Sequence, residues 1–370
     1  MHTNLLGIKG VIMSLGIRHA LFACFLAVFF LFSSNVSAVA SSSDSPYRVF
    51  ILHSYEDGHI CGQPQHDGIV AAMEKSGFKA NENLRIETYH MDTKRKNNTT
   101  ELMEEQAQIA LKKIRTFHPD VLVTLDDNAF RTVALELVDT PLPIIFSGMN
   151  GQPEDYHKKR PCIDSRSRPG HNITGVYEKL HIADAIRIHS RLFPGLKKVK
   201  LFVDPSPTGN AISRQIRHEM EEEVISSAWE MKMAMTWEEY QDEIRSVNSD
   251  PDVGAIYPAA LLLKDRVGNS YTAPQIFAWT IENSKKPEIA LNYAFTRLGL
   301  FGGAAVDFYA MGTQAGRMVA EILHGKHPGN MAVEDAQRYA LAFNLGRARQ
   351  LELTIPPDIL MAADEVVAPK

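Results

Sequence analysis

The chain has few cysteines and no apolar run of the length that usually crosses a bilayer. Three cysteines occur among 370 residues, and Cys24 lies within the first 40. So small a number excludes the densely cross-linked class of secreted domains. The longest apolar run, residues 20–32 (ALFACFLAVFFLF), falls short of the roughly 20 residues that span a membrane. We therefore expect a globular fold built around hydrophobic cores.

The common enzyme motifs are also missing. No Gly-x-Gly-x-x-Gly follows the first apolar segment of the mature chain, and neither a Walker loop nor a Gly-x-Ser-x-Gly elbow occurs. These absences exclude the usual dinucleotide, nucleotide and α/β-hydrolase sites. His53, Ser54 and Asp57 are close in sequence, but nothing places them as a catalytic set. We expect no enzyme activity and no cofactor, and an exported α/β enzyme is the least favoured alternative.

Charge gives no reason to expect nucleic acid as a partner. The formal net charge is −5, and the concentrated basic stretch at residues 94–96 is only three residues long. So short a patch reads as a solvated turn rather than a nucleic-acid surface.

The amino-terminal 40 residues have the order of a secretory signal. Lys9 and Arg18 precede the apolar run, and small residues follow it up to Ala38 and Ala40. This charged, apolar and small-residue order predicts export with cleavage near Ala38 or Ala40. A retained membrane anchor is the alternative. Cleavage would make the formal net charge two units more negative, because Lys9 and Arg18 leave with the signal.

Two cysteines, Cys61 and Cys162, remain in the mature chain. An oxidising periplasm favours a disulfide between them. Two free thiols are the alternative, and the sequence does not decide between the two. His59, Cys61 and His66 have loosely ligand-like spacing, but no fourth donor is evident. We expect no metal site.

Short β-branched runs alternate with amphipathic helical patterns twice along the mature chain. The predicted strands lie at residues 47–54, 84–90, 121–125, 142–147, 199–204, 231–237, 253–258 and 288–293. An extended segment, residues 172–178, joins the two series. Alternation of this kind predicts α/β architecture, with parallel sheets covered by helices on both faces.

Ligands of open parallel sheets bind beyond the carboxyl ends of the strands. The polar and aromatic residues at these positions are Ser54, Tyr55, Asp127, Asn128, Ser147, Tyr177, Thr208 and Tyr257. Asp126 and Asp127 could bind a ligand ammonium group or cap the helix that follows them. Thr208 could likewise help to bind an anion or cap a helix, and each tyrosine could be a pocket wall or the edge of the core.

Several segments resemble the periplasmic solute-binding proteins of the ABC-transporter substrate-binding family, which includes tryptophan- and tyrosine-binding members. The most specific is the carboxyl end, residues 343–366 (FNLGRARQLELTIPPDILMAADEV). Weaker similarities occur at residues 126–129, 143–147, 172–176 and 307–325. The resemblance covers nearly all of residues 47–366.

The resemblance implies a two-lobed type I periplasmic-binding fold with the ligand cleft between the lobes. Residues 46–174 and 300–328 would form lobe 1, and residues 177–297 and 335–370 would form lobe 2. By position, the family's ligand contacts would fall on Ser54, Tyr55, Asp127, Asn128, Ser147, Tyr177, Thr208, Tyr257 and Asp307.

The implied function is capture of a small polar, amino-acid-like ligand and its delivery to an ABC permease in the inner membrane by a monomeric periplasmic protein. The first loop, residues 54–65, is long and polar and is closer to a subgroup that also serves as extracytoplasmic sensors. A ligand-sensing subunit that docks on a membrane signalling protein is therefore the alternative.

Overall fold

Strands and helices alternate through most of the chain. A computed structural model describes residues 45–259 and 261–369, and the predicted signal at residues 1–40 lies outside them. The strands are β1 (Tyr47–His53), β2 (Leu84–His90), β3 (Val121–Leu125), β4 (Ile144–Met149), β5 (Ile173–Tyr177), β6 (Lys198–Val203), β7 (Ala228–Met233), β8 (Val253–Pro258), β9 (Leu262–Lys264), β10 (Ser270–Thr272), β11 (Gly302–Val306), β12 (Glu334–Asp335), β13 (Tyr339–Asn344) and β14 (Glu365–Val367).

Helices follow most of the strands. They are α1 (Gly62–Lys75), α2 (Thr100–Phe117), α3 (Asp126–Ala129), α4 (Pro153–Lys159), α5 (Ile182–Leu192), α6 (Pro207–Glu222), α7 (Trp237–Ser249), α8 (Ala273–Asn283), α9 (Phe308–Leu323), α10 (Leu345–Gln350) and α11 (Pro357–Met361). Helix α3 continues as a π-helical and then a 3-10 turn. Within the described residues, no helix is long and apolar enough to cross a membrane.

Strands β1 to β5 of the first half of the chain, joined by β12 from near the carboxyl end, form a six-stranded sheet with the order β12-β5-β4-β3-β1-β2. Every pairing in it is parallel. All residues of β3, β4 and β5 are buried, as expected when helices cover both faces of a parallel sheet. The predicted α/β architecture is confirmed.

The second half contains the parallel sheet β7-β6-β8 and the three-stranded sheet β11-β13-β14. Residues 287–292 connect them, because Glu288 bridges to Ile256 of β8 and Asn292 bridges to Val306 of β11. The sequence analysis predicted a strand over residues 288–293, and the structure has only these isolated bridges there. Strand β11, which begins at Gly302, was not among the predicted strands.

The chain passes between the two halves after β5, after β11 and after β12. Strand β11 pairs with β13, so residues 302–306 share a sheet with residues 339–344, although the predicted lobe boundaries separate them. The lobe boundaries stay a prediction. We propose that the segment returning to lobe 1 begins after Val306, where α9 leaves to pack on α1.

Glycines bring the backbones of α1 and α9 into direct contact. A Cβ at Gly68 would lie 2.2 Å from the carbonyl oxygen of Tyr309, and one at Gly312 would lie 2.1 Å from that of Gln65. No side chain fits at either position without moving a helix. This contact anchors α9 on the first sheet although α1 and α9 are more than two hundred residues apart.

We expect Gly312→Ala to lower the free energy of unfolding by about 1–3 kcal/mol, the usual cost of forcing extra volume into a packed contact. Alanine normally favours a helix over glycine by about 1 kcal/mol, so the loss would run against helix propensity. Urea unfolding of the wild type and the variant measures it. Gly346→Ala in α10 is the control, because its Cβ would meet nothing closer than 3.1 Å. Equal or greater stability of the Gly312 variant would contradict the close contact.

A buried ion pair fastens the carboxyl-terminal segment to the second half. Arg347 of α10 donates to Glu288 through Nε at 3.0 Å and through Nη2 at 2.5 Å, and also to the Ser284 carbonyl at 2.9 Å. Glu288 is fully buried and the Arg347 side chain is 4% exposed. Burial raises the pKa of Glu288, and Arg347 opposes that shift. Removal of either partner would leave a buried charge without compensation.

We expect Arg347→Met to cost about 3–5 kcal/mol of stability, as typical for breaking one side of a buried pair. Arg297→Met is the matched control, because Arg297 is 60% exposed and pairs with Glu365 at the surface, where an ion pair contributes about 0–1 kcal/mol. Chemical denaturation of both variants makes the comparison. Similar small losses in the two would show that the buried pair is dispensable.

Candidate functional site

The carboxyl ends of β1 and β3 form the switch point of the first sheet, since these neighbouring strands are not consecutive in the chain. Ser54 follows β1 and is fully buried. Its hydroxyl donates to the Leu125 carbonyl at 2.6 Å and accepts the Ala129 N–H at 2.8 Å. Ser54 therefore joins the end of β1 to β3 and α3, and protein partners already occupy its hydroxyl.

Tyr55 forms an aromatic wall next to this junction. It is 5% exposed, and the Lys94 ammonium lies 3.8 Å above its ring. The His59 ring packs on it at a centroid distance of 4.5 Å. Burial and the charges of Asp126 and Asp127 raise the pKa of Tyr55. The side chain is held as a neutral phenol close to two carboxyl groups and one cation.

The sequence analysis treated Asp126 and Asp127 together as a possible ammonium ligand or helix cap, and Asp126 is the more buried of the two. Its backbone is left-handed, with φ +66°, which is uncommon for a residue with a side chain and concentrates at functional sites. Burial raises its pKa to about 7, while Lys94 and a hydrogen bond with Gln65 act against that shift. The Gln65 side chain also accepts a hydrogen bond from Ser147 at 2.8 Å. Ser147 thus supports the acid through Gln65.

Asp127 holds the loop that follows β4. Its Oδ1 accepts the Gly151 N–H at 2.9 Å and the Tyr156 hydroxyl at 2.6 Å, and its Oδ2 accepts the Asn150 N–H at 3.1 Å. Neighbouring Asn128 donates to the Thr93 hydroxyl at 2.8 Å. Both predicted site residues therefore organise loops around the site.

Tyr177 ends β5 and lies beside the same loop. It is 4% exposed; its hydroxyl accepts from Gln152 Nε2 at 2.5 Å and donates to the Asn150 carbonyl at 3.4 Å. The Arg166 guanidinium lies 4.8 Å from its ring centre.

The remaining predicted residues lie on other elements. Ser206, not Thr208, caps α6 by accepting the Gly209 N–H at 3.0 Å, and Thr208 is half-buried. Asp307 caps α9 at 2.9 Å and pairs with Arg338 at 3.5 Å. Among the described residues, no hydrogen bond or ion pair joins Thr208 or Asp307 to Asp126.

Glu178 is the functional candidate that the sequence analysis missed. It is 2% exposed and stands where the chain leaves β5 for the second half. Burial raises its pKa well above the usual range, Asp126 and Asp127 raise it further, and Lys94 opposes them. Its signal in the sequence was a glutamate directly after the mostly apolar run at residues 173–177, which the sequence analysis interpreted only as part of a connecting segment.

Glu178 links the first half to the second. Asn150 Nδ2 donates to its carboxylate at 3.2 Å, and the Gln215 side chain of α6 donates to its carbonyl oxygen. Tyr257, at the end of β8, is 2% exposed, and the charges of Glu219 and Glu178 contribute to its raised pKa. The structure thus brings predicted Tyr55, Asp127 and Tyr257 into the electrostatic surroundings of one buried acid.

The model of the family described as ABC transporter substrate binding protein matches residues 62–367. The chain belongs to this family. A tyrosine-binding protein from Clostridioides difficile (strain R20291) is similar to this substrate-binding protein, with 20% identity over 328 residues that cover 86% of each chain. The family and its structural neighbours are ligand-binding proteins, not enzymes.

Solved structures with low identity show the fold. A domain from Streptococcus pneumonia in complex with L-Trp has a TM-score of 0.64 and 18% identity, and covers 87% of this chain and 100% of that chain. A ligand-free, open substrate-binding protein from Clostridium difficile has a TM-score of 0.65 and 17% identity, with coverage of 88% and 100%. A conserved domain protein from Vibrio cholerae has a TM-score of 0.65 and 20% identity, and the match covers 87% of this chain and 100% of that chain. The predicted two-lobed type I periplasmic-binding fold is confirmed.

The disulfide that the sequence left open is not formed in the substrate-binding protein's structure. Cys61 and Cys162 are both free thiols. Cys61 packs against the core cluster that contains α1, and Cys162 belongs to a different cluster with α2. The two sulfurs lie in separate cores, so they do not pair. Within the described residues, no group of three or more acidic, histidine or cysteine side chains could hold a metal ion.

Three histidines pack together at the edge of this site. His53 ends β1, and its Nε2 lies 3.1 Å from Nδ1 of His66. The His90 ring lies 4.2 Å from that of His53. Burial lowers the pKa of His53 to about 2, with repulsion from His90 and His66 adding to the shift. The cluster is therefore neutral at neutral pH.

Acid should weaken the fold through His53. Between pH 6.5 and 2 the unfolded chain binds a proton at this residue that the folded protein excludes, so stability falls as pH drops below about 6.5. We expect His53→Gln to reduce the slope of unfolding free energy against pH by up to about 1.4 kcal/mol per unit near pH 5. Urea unfolding between pH 5 and 7.5 measures the slope.

Exposed His218→Gln is the control for that series and should keep the wild-type slope. Asp126 and Glu219, whose pKa values burial raises to about 7, impose the opposite trend, a loss of stability as pH rises from about 4 to 7. They are present in every variant, so they cancel in the comparison. Identical slopes for His53→Gln and the wild type would reject the role of His53.

Proposed function

We propose that this substrate-binding protein captures a small polar, amino-acid-like ligand between its two lobes and delivers it to an ABC permease. The observation that carries the proposal is the pair of buried acids, Asp126 and Glu178, at strand ends where the chain crosses between the halves. Neither has a Lys or Arg within ion-pair distance among the described residues. Isolated buried carboxyl groups are costly to a fold, and such perturbed groups concentrate at functional sites.

An amino acid would complement the charges around these acids. Its ammonium group would meet Asp126 and Glu178, and its carboxylate would meet Lys94, which forms no ion pair within the described part of the chain. Tyr55 would supply an apolar wall. The tyrosine-binding relative and the L-Trp complex support a ligand of this class.

The proposed lobes are residues 46–177 with residues 307–335, and residues 178–306 with the tail from 336. Closure of these lobes around the ligand by hinge motion would bury it. The protein would be a monomer in the periplasm, where cleavage near Ala38 or Ala40 would release it. It would need no cofactor and would bind no nucleic acid. Ser54, Asn128, Ser147, Tyr177, Thr208 and Asp307 stay candidates for ligand contact.

Ligand binding can be tested on the protein purified from periplasm. We expect the melting temperature to rise with at least one compound of an amino-acid panel, and Asp126→Asn to weaken that compound's binding about 10–100-fold, as removal of a charged hydrogen-bond partner implies. Calorimetric titration gives the dissociation constants. Asp242→Asn, at an exposed position of α7, is the control. No stabilisation by any compound, or equal affinities in the two variants, would contradict the proposed site.

Delivery has its own readout. Uptake of the identified ligand should fall in cells that lack the gene and recover with the wild-type gene but not with Asp126→Asn. Unchanged uptake with intact binding would overturn delivery and favour the sensing alternative.

A further inference from the structure

Several buried acceptor atoms near Glu178 have no hydrogen-bond partner among the described residues. They are Asp126 Oδ2, Asn150 Oδ1 and Gln215 Oε1, with the Tyr257 hydroxyl and Glu219 Oε2 deeper in the second half. Each unsatisfied group costs about 1–3 kcal/mol. Native proteins leave few such groups, so a cluster of them calls for a partner that the chain itself does not provide.

The two amides are fixed with their oxygens unpaired. Asn150 donates its Nδ2 to the Glu178 carboxylate at 3.2 Å, and Gln215 donates its Nε2 to the Glu178 carbonyl oxygen. Rotation of the Gln215 amide by 180° would set its oxygen against the carbonyl oxygen, and rotation of the Asn150 amide would set its oxygen against the ionised carboxylate. Their free atoms are therefore acceptors, and they flank Glu178 from the first half and from α6.

The surrounding charges also favour a cation. Asp126, Asp127 and Glu178 contribute negative charge, and Lys94 is the cation that acts on both Asp126 and Glu178. Lys94 is exposed and lies over the Tyr55 ring, so it remains at the rim. Asp127 already accepts three hydrogen bonds from the protein. Asp126 and Glu178 remain as the acids available to a ligand.

We propose that Asp126, Asn150, Glu178 and Gln215 form a subsite for a primary amine or guanidinium group, and that the ligand carries more positive than negative charges. An ammonium offers three N–H donors and a guanidinium offers five, whereas a water molecule offers two. A guanidinium therefore has enough donors for the three free acceptors and the Glu178 carboxylate together, an ammonium can serve three of these four, and a single water can serve two. The inference rests on the proposed binding function and specifies its ligand as a basic amino acid or a related amine.

Binding of such a cation should release protons. Burial raises the pKa of Asp126 to about 7 and also raises the pKa of Glu178. The facing groups that influence these two pKa values are Asp127, Lys94, Gln65 and Asn150. A bound cation favours the ionised carboxylates. Below about pH 7 the empty site is partly protonated, so affinity should increase with pH as the two acids ionise.

Calorimetric titration of the purified protein provides the test. The probes are putrescine, agmatine, L-lysine and L-arginine, with L-tyrosine, L-leucine and L-glutamate as comparisons. We expect a cationic probe to bind at least tenfold more tightly than every comparison compound, with a further gain of about tenfold between pH 5.5 and 7.5. Titration in two buffers of different ionisation enthalpy should show proton release.

Variants separate the subsite from general charge attraction. Gln215→Leu keeps the charge but removes a free acceptor, and should weaken the cationic probe about 5–20-fold. Asp242→Asn removes an exposed carboxylate and should change nothing. Circular dichroism confirms that each variant is folded; if the leucine variant is not, the preference of the wild type for cationic probes and the proton release decide the test.

The outcomes distinguish this inference from the proposed function. Tight binding of L-tyrosine or L-leucine with weak binding of every cation would overturn the inference and leave the binding function standing. Binding of a cation without proton release, or with equal affinity in Gln215→Leu, would overturn the subsite. Binding of no probe at all would overturn both.

Discussion

The adjacency of β1 and β3 is the constraint on which the rest of the site depends. The two strands are neighbours in the sheet although β2 separates them in the chain, so the loops that leave them diverge and open a crevice. The Ser54 hydroxyl holds both strand ends and the first turn after β3 together. Tyr55 and Asp126 can meet at one edge because this junction is rigid.

At that edge the protein buries polar groups whose hydrogen-bond acceptors lack partners when no ligand is bound. Hydrogen bonds from Gln65 and Asn150 fix the positions of Asp126 and Glu178, but they leave acceptors unpaired. The packed glycine contact of α1 with α9 and the Arg347–Glu288 pair supply stability elsewhere. The fold is thus stabilised away from the cleft, while the cleft keeps groups that favour a partner.

The sequence predicted the architecture well because its signals are local. The β-branched runs and helical periodicity located the strands of the first sheet and most helices. The rule about strand ends found the right region, but not which atoms are free: Ser54 and Asp127 face protein partners, whereas Asp126, one residue earlier, does not have a full set. Glu178 and Gln215 were missed because their importance comes from contacts between halves that no local pattern records. The pairing of β11 with β13 was missed for the same reason.

The contact between α1 and α9 also bears on when the protein can fold. Helix α1 is made early, but the glycine surface that it packs against is not synthesised until residue 312 and beyond. Contacts so distant in sequence form slowly. The first lobe therefore cannot complete its core while most of the chain is still being made.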